Sequence, residues 1–212
     1  VVSTDVNTAQ FTDCLLGSTQ GGYYADANNG WTNTISKYNP TDNWTNVFMY
    51  SDKVIPQLYS NMSNVEGISE DSLVLAILKI VKVCVLNRVT DTYGPIPYSE
   101  IGSTGKIQVA YDDQPKFYSQ MFDELDEAIA LLDENIDRSI ASTTDQVFDG
   151  TAVKWCRFAN SMKLRLAMRV VYTDFVSSKG LSPQQLGEQA VAHSVGVMQS
   201  NADNASRQCL AF

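Results

Sequence analysis

The sequence predicts an all-α fold, on three observations. Apolar residues recur at three- and four-residue steps through five or six segments of about 14–25 residues, the spacing of one buried helical face. No stretch alternates apolar and polar residues as a half-buried strand does. The chain has 212 residues, 44% of them hydrophobic and six of them proline, which is enough apolar material for a real core. Helices in this number, joined by connectors of uneven length, pack helix on helix. Successive long hairpins start about 70 residues apart, too irregular a spacing to define a repeat.

Residues 1–17 suit a short helix capped by Thr4 or Asp5, with Phe11, Leu15 and Leu16 packing. Residues 18–43 are rich in Gly, Asn, Asp and Thr and read as an irregular segment of turns. A helix starts near Thr41–Trp44 with Asp42 or Asn43 as cap. Its buried face is Val47, Tyr50, Ser51, Val54, Leu58 and Met62, and Pro56 kinks or divides it. The next helix runs over 69–91, with Ser69 as cap and Glu70 and Asp71 in the first turn. It is apolar nearly all round, apart from a stripe of Ser72, Lys79 and Lys82, so other helices should surround it.

"VTDTYGPIPYSE", residues 89–100, stops that helix. Gly94 suits a left-handed end, and Pro95 and Pro97 prevent re-entry. Tyr93 and Tyr98 are placed to pin the extended piece, and Arg88 to pair with Asp91 or Glu100. After a connector over 99–114, Pro115 opens an amphipathic helix over 117–135. Tyr118, Met121, Phe122, Leu125, Ala128, Ile129 and Leu132 face inward, and Asp123, Glu124, Asp126, Glu127, Asp133 and Glu134 face outward. A second connector, 136–150, ends in the turn-like "FDGT". The longest helix follows at 151–174, packing through Trp155, Phe158, Ala159, Met162, Leu166, Val170 and Phe175. Lys154, Arg157, Arg165 and Arg169 form a basic stripe along it. Ser182, followed by Pro183, begins a last helix running to about Val195.

Charge and cysteine usage narrow the function. With 24 acidic against 15 basic residues, a net charge of −9 and no Lys/Arg cluster, the surface repels nucleic acid and anionic lipid. The four cysteines, Cys14, Cys84, Cys156 and Cys209, form no CxxC pair, and Cys84 and Cys156 fall in apolar patterns as small hydrophobes. The start of the chain shows no signal peptide and Cys14 no lipidation context, so, if the protein is exported, its targeting segment is expected before Val1. Leu73–Val89, the most apolar run, is interrupted by Lys79, Lys82, Asn87 and Arg88 and reads as a buried helix rather than a membrane span.

Little in the sequence suggests catalysis. His193 is the only histidine, lacks a nucleophile-elbow partner and reads as a packing or capping residue near a helix end. A metal site there needs ligands that the linear sequence does not cluster, so no metal and no cofactor are expected. The acids of 117–135 follow a solvated face rather than a glycosidase pair. Asp26–Gly30 begins like a calcium loop, but Lys37 occupies the twelfth position. Sequons begin at Asn43, Asn61 and Asn204. The most suggestive ligand contacts are aromatics set among amides, Tyr23, Tyr24, Trp31, Tyr38 and Trp44. Such rings either stack on sugar faces or anchor the segment to the helices.

Four segments in sequence resemble the SusD/RagB family of Bacteroidetes outer-membrane nutrient-binding lipoproteins: "RVTDTYGPIPYSE" (88–100), "YDDQPKFYSQMFDELDEAIALL" (111–132), "VKWCRFANSMKLRLAMR" (153–169) and "GVMQSNADNA" (196–205). The matching residues include Arg88, Asp91, Tyr93, Gly94, Pro97, Tyr98, Trp155, Asn160 and Arg165, which the resemblance marks as scaffold rather than ligand contacts. It implies a tetratricopeptide-like helical scaffold, with this chain as the N-terminal portion of a single domain: an irregular segment at 18–43 and paired helices over 44–196. It further implies a non-catalytic protein, lipid-anchored at the cell surface through an N-terminal segment outside this chain, that binds oligosaccharide or, in some branches, peptide. The implied partner is a SusC-like TonB-dependent transporter. The ligand residues suggested by the aromatic segment are Trp31, Tyr38, Trp44 and Tyr24. A helical-repeat module for peptides or proteins is the alternative, and a carboxylate-based hydrolase a third.

Overall fold

A computed structural model of the chain describes residues 18–25, 71–100 and 108–205. The chain divides into two compact units, Val1–Asn61 and Met62–Phe212. In the first, residues 18–25 close a turn through Tyr23 N–H donating to the Ser18 carbonyl at 2.8 Å, with Gly22 at φ 76°. Tyr23 and Tyr24 project into solvent from it. The helix expected from Thr41 onward, the calcium-like loop, and Trp31, Tyr38 and Trp44 lie outside the described residues.

Among the described residues, the second unit is built from four α-helices and a 3₁₀ turn: α1 (Ser72–Tyr93), α2 (Gln114–Glu134), α3 (Ala152–Val170), α4 (Pro183–Ala192) and Asn201–Asp203. Asp71, expected in the first turn of α1, is its cap and accepts from Leu73 N–H. The helix therefore starts later than predicted and runs on to Tyr93. In α2, Pro115 sits in the first turn, where its missing N–H costs nothing. The third helix stops at Val170, short of the predicted Asp174. Phe175 lies beyond its end yet is buried, its ring 5.6 Å from that of Phe122. Ser182 and Gln185 make a reciprocal capping box on α4, which ends at Ala192 rather than Val195.

Cross-helix pairs show the order of packing. Lys79 meets Glu127 at 2.7 Å, Lys82 meets Glu124 at 2.6 Å, and Asn135 reaches back to Ser72 at 3.0 Å, so α1 and α2 run antiparallel. Lys163 meets Asp126 at 2.6 Å, and Cys156 lies near Asp133, setting α3 antiparallel to α2. Antiparallel packing of α4 on α3 follows from Lys163 to Gln189 and from Asn160 to the Gly196 carbonyl. Gly187 allows the close approach: a Cβ there would stand 3.3 Å from a Leu164 methyl. The inward residues predicted for α2, from Tyr118 to Leu132, are all buried. Each such aliphatic side chain removed from water contributes roughly 1.5–3 kcal/mol.

One expectation is corrected. Glu124 does not face outward. It is buried between α1 and α2, where Lys82 from the polar stripe of α1 and the Tyr98 hydroxyl from the corner both reach it, so its charge is paired and hydrogen-bonded out of water. The basic stripe of α3 is likewise partly paired: Arg157 holds Asp203 at 2.9 Å and Arg169 holds Asp91 at 2.8 Å, while Arg165 is exposed.

Candidate functional site

The corner after α1 is a structural node built around one buried aspartate, Asp112. Gly94 ends the helix at φ 78°, ψ −134°. This is a glycine region distinct from the left-handed helical geometry predicted for it. Its N–H bonds to the Thr90 carbonyl and its own carbonyl accepts from Thr90 Oγ1 at 2.7 Å. With re-entry blocked by two prolines, the chain runs extended and Ile96 bridges Asp112. The Asp112 carboxylate accepts from the N–H groups of Tyr98 (3.0 Å) and Ser99 (2.7 Å), from Ser99 Oγ (2.8 Å) and from Lys116 Nζ (2.7 Å). Burial alone would push this carboxyl up, but the Lys116 ammonium and the Ser99 and Tyr98 donors outweigh it and hold the group well below the ordinary range.

Tyr98 pins the corner, as predicted, and is only 2% exposed. Its ring lies 4.3 Å from that of Phe117, its hydroxyl donates to Glu124, and Lys82 Nζ sits 4.6 Å above its face. Tyr93, by contrast, is a half-exposed residue of the last turn. Asp91 takes Arg169 from α3 and the Tyr118 hydroxyl at 3.0 Å. Burial first, and then the Asp91 charge, push that phenol up to about 12.

The second connector is organised the same way. Asp145 is buried and accepts from Val147, Phe148 and Gly150 N–H groups and from Trp155 Nε1 at 2.7 Å. Trp155 packs edge-on against Phe148 and Phe158. Asn160, also buried, donates to the Gly196 carbonyl and so ties α3 to the segment after α4. Arg88, like Arg165, lies on the surface.

Two groupings have no signal in the linear sequence. At the end of the unit where α1 and α3 finish and α2 begins, Tyr93, Tyr111, Met168 and Tyr172 are exposed, Tyr172 almost wholly. At the other end of α2, Asp133, Cys156 and His193 converge from three elements, their ligand-type atoms all within 4.8 Å of one another. His193 Nε2 stands 2.9 Å from Asp133 Oδ2, so the lone histidine is an inter-helix contact as well as the residue ending α4. Burial and the Asp133 charge push the Cys156 thiol up to about 12. Such clusters become visible only when helix registers are known, since the three residues are spread over 60 positions.

The SusD-like family model, described as SusD and RagB outer membrane lipoprotein, matches residues 1–211. Among solved structures, a SusD homolog from Bacteroides uniformis is 49% identical with a TM-score of 0.80, over 96% of this chain and 41% of that one. A SusD homolog from Bacteroides ovatus is 38% identical with a TM-score of 0.79, over 96% and 41%. A chitin-binding SusD homolog from Flavobacterium johnsoniae is 33% identical with a TM-score of 0.80, over 99% and 43%. This chain thus spans about two-fifths of the length of the structures it matches. No curated protein matches it.

Proposed function

The chain belongs to the SusD-like family of outer-membrane lipoproteins, and on that premise we propose that it forms the N-terminal scaffold of a cell-surface protein that captures oligosaccharide for import. The observation that carries this reading is the likeness along nearly the whole chain to a chitin-binding SusD homolog, with one scaffold, the tetratricopeptide-like helical fold, common to both. The protein takes glycan without cleaving it and passes it to a SusC-like TonB-dependent transporter. A lipid anchor holds it at the outer membrane. The chemistry of the described helices supports binding over hydrolysis: Glu124 is engaged by Tyr98 and Lys82, and Asp126 by Lys163 and Lys179. Carboxylates tied to cations and buried hydroxyls serve packing rather than proton transfer to a substrate. Ligand contacts are assigned to Tyr24, Trp31, Tyr38 and Trp44, since aromatic faces among amides suit sugar rings.

A second reading rests on the exposed Tyr93, Tyr111, Met168 and Tyr172, a surface suited to a peptide or protein. The test is retention from paired glycan and peptide panels by the immobilised full-length protein, with copurification from membranes. Retained, uncleaved oligosaccharide and a copurifying β-barrel support the first reading. Peptide retention favours the second. Turnover of a glycoside overturns both.

A further inference from the structure

The grouping of Asp133, Cys156 and His193 carries an inference independent of glycan capture. Asp133 lies in the last turn of α2, Cys156 in the second turn of α3, and His193 ends α4. The three supply one carboxylate oxygen, one sulfur and one imidazole nitrogen, the donor types that zinc and its borderline neighbours take. We propose that these three side chains form a binding site for one divalent transition-metal ion of the zinc type, joining α2, α3 and the end of α4.

The geometry is close to what the ion requires. Donor atoms around a tetrahedral zinc stand about 3.3–3.8 Å apart, given metal–ligand bonds of about 2.0–2.3 Å. Here Asp133 Oδ2 and His193 Nε2 are 2.9 Å apart, Cys156 Sγ lies 3.8 Å from the other oxygen of the same carboxylate, and one donor atom from each residue falls within 4.8 Å of the other two, so the set must contract slightly around an ion. The sulfur–imidazole edge, within 4.8 Å, closes by rotation of the histidine side chain, which stands at the edge of solvent. Asn160 Nδ2 lies 3.7 Å from Cys156 Sγ and donates toward it, as an outer partner of a thiolate ligand does. The fourth position would open to solvent on the exposed side of Asp133.

Without metal, the thiol donates to Asp133 Oδ1. Val195 N–H donates to His193 Nδ1 at 3.3 Å, which leaves the ring proton on Nε2, facing Asp133 Oδ2. Metal binding releases the thiol proton to solvent and moves the ring proton from Nε2 to Nδ1. The long Val195 contact is given up, a local change just before the segment that Asn160 and Ser161 hold against α3.

Cobalt(II) is the probe, titrated into the full-length protein under reducing conditions. The expected result is one equivalent bound, with a near-ultraviolet sulfur-to-cobalt charge-transfer band that zinc abolishes. Cys156→Ser is expected to remove the band although Cys14, Cys84 and Cys209 remain. His193→Gln, at a partly exposed position, is expected to weaken binding by at least about tenfold while leaving the far-ultraviolet CD spectrum unchanged. Absence of the band at stoichiometric cobalt overturns the proposal. So does a band that survives Cys156→Ser, or an affinity unmoved by His193→Gln in folded protein.

Discussion

The two connectors of the second unit solve one problem with different charge arrangements. Each must bury a turn whose backbone N–H groups have no helix or sheet to satisfy them, and each sets one aspartate among those groups. Asp112, in the corner after α1, accepts two backbone donors, one hydroxyl and an ammonium. Asp145, in the connector before α3, accepts three backbone donors and an indole, all neutral. The first node lies beside a solvent-facing lysine and is tuned by it. The second is enclosed and relies on dipoles alone, so it depends more heavily on every bond being made.

That difference orders the expected effects of substitution. Asp145→Ala strips four donors of their acceptor in a buried turn and is expected to cost about 3–5 kcal/mol, read as a shift of the urea midpoint with m unchanged. A cost below about 1 kcal/mol would show that water replaces the carboxylate there. The glycines sharpen the contrast. Gly150, at φ 75°, has no room for a Cβ, which would meet the Ile140 carbonyl oxygen at 2.0 Å. Gly94, at φ 78°, has nothing within 4 Å, so only its backbone geometry demands glycine. Gly150→Ala should therefore destabilise more than Gly94→Ala, for which backbone strain of roughly 1–3 kcal/mol is expected. Equal costs in chemical denaturation would remove the distinction between the two turns.

Acid titration tests the first node next. The folded Asp112 carboxyl ionises well below its unfolded value, so its stabilising contribution is complete above an unfolded value of about 3.9. It is lost as pH falls from there through the depressed folded value. Stability of the wild type measured from pH 5 downward should fall more steeply than that of Asp112→Asn, which lacks this titration. Parallel curves would refute the assignment. The smallest effect belongs to Lys116→Ala. The amine is mostly exposed and pairs one helical turn away, so it should lower the melting temperature only slightly, and less still in high salt.

The sequence located both connectors and the helices they join, because helix periodicity and Gly/Pro punctuation are local signals. What it concealed were the partners. Nothing local distinguishes Asp112 or Asp145 from other acids near a turn, and Glu124 read as a surface residue because its neighbours on the helix are acidic. Its burial depends on Lys82 and Tyr98 arriving from elsewhere in the chain. Phe175 joined the core from outside its predicted helix for a similar reason, through the ring of Phe122. The same limit hid Asp133 and Cys156 as companions of His193.

The motif corners are expected to build the scaffold and the aromatic segment to meet the glycan. Isothermal titration of chitin oligosaccharides and other glycans into the full-length protein tests it most directly, comparing Trp31→Ala and Trp44→Ala with Tyr98→Phe. The tryptophan variants are expected to lose at least about tenfold in affinity, about 1.4 kcal/mol, while Tyr98→Phe binds like wild type. Unchanged binding by the tryptophan variants, with loss confined to a folded Tyr98→Phe protein, would contradict it.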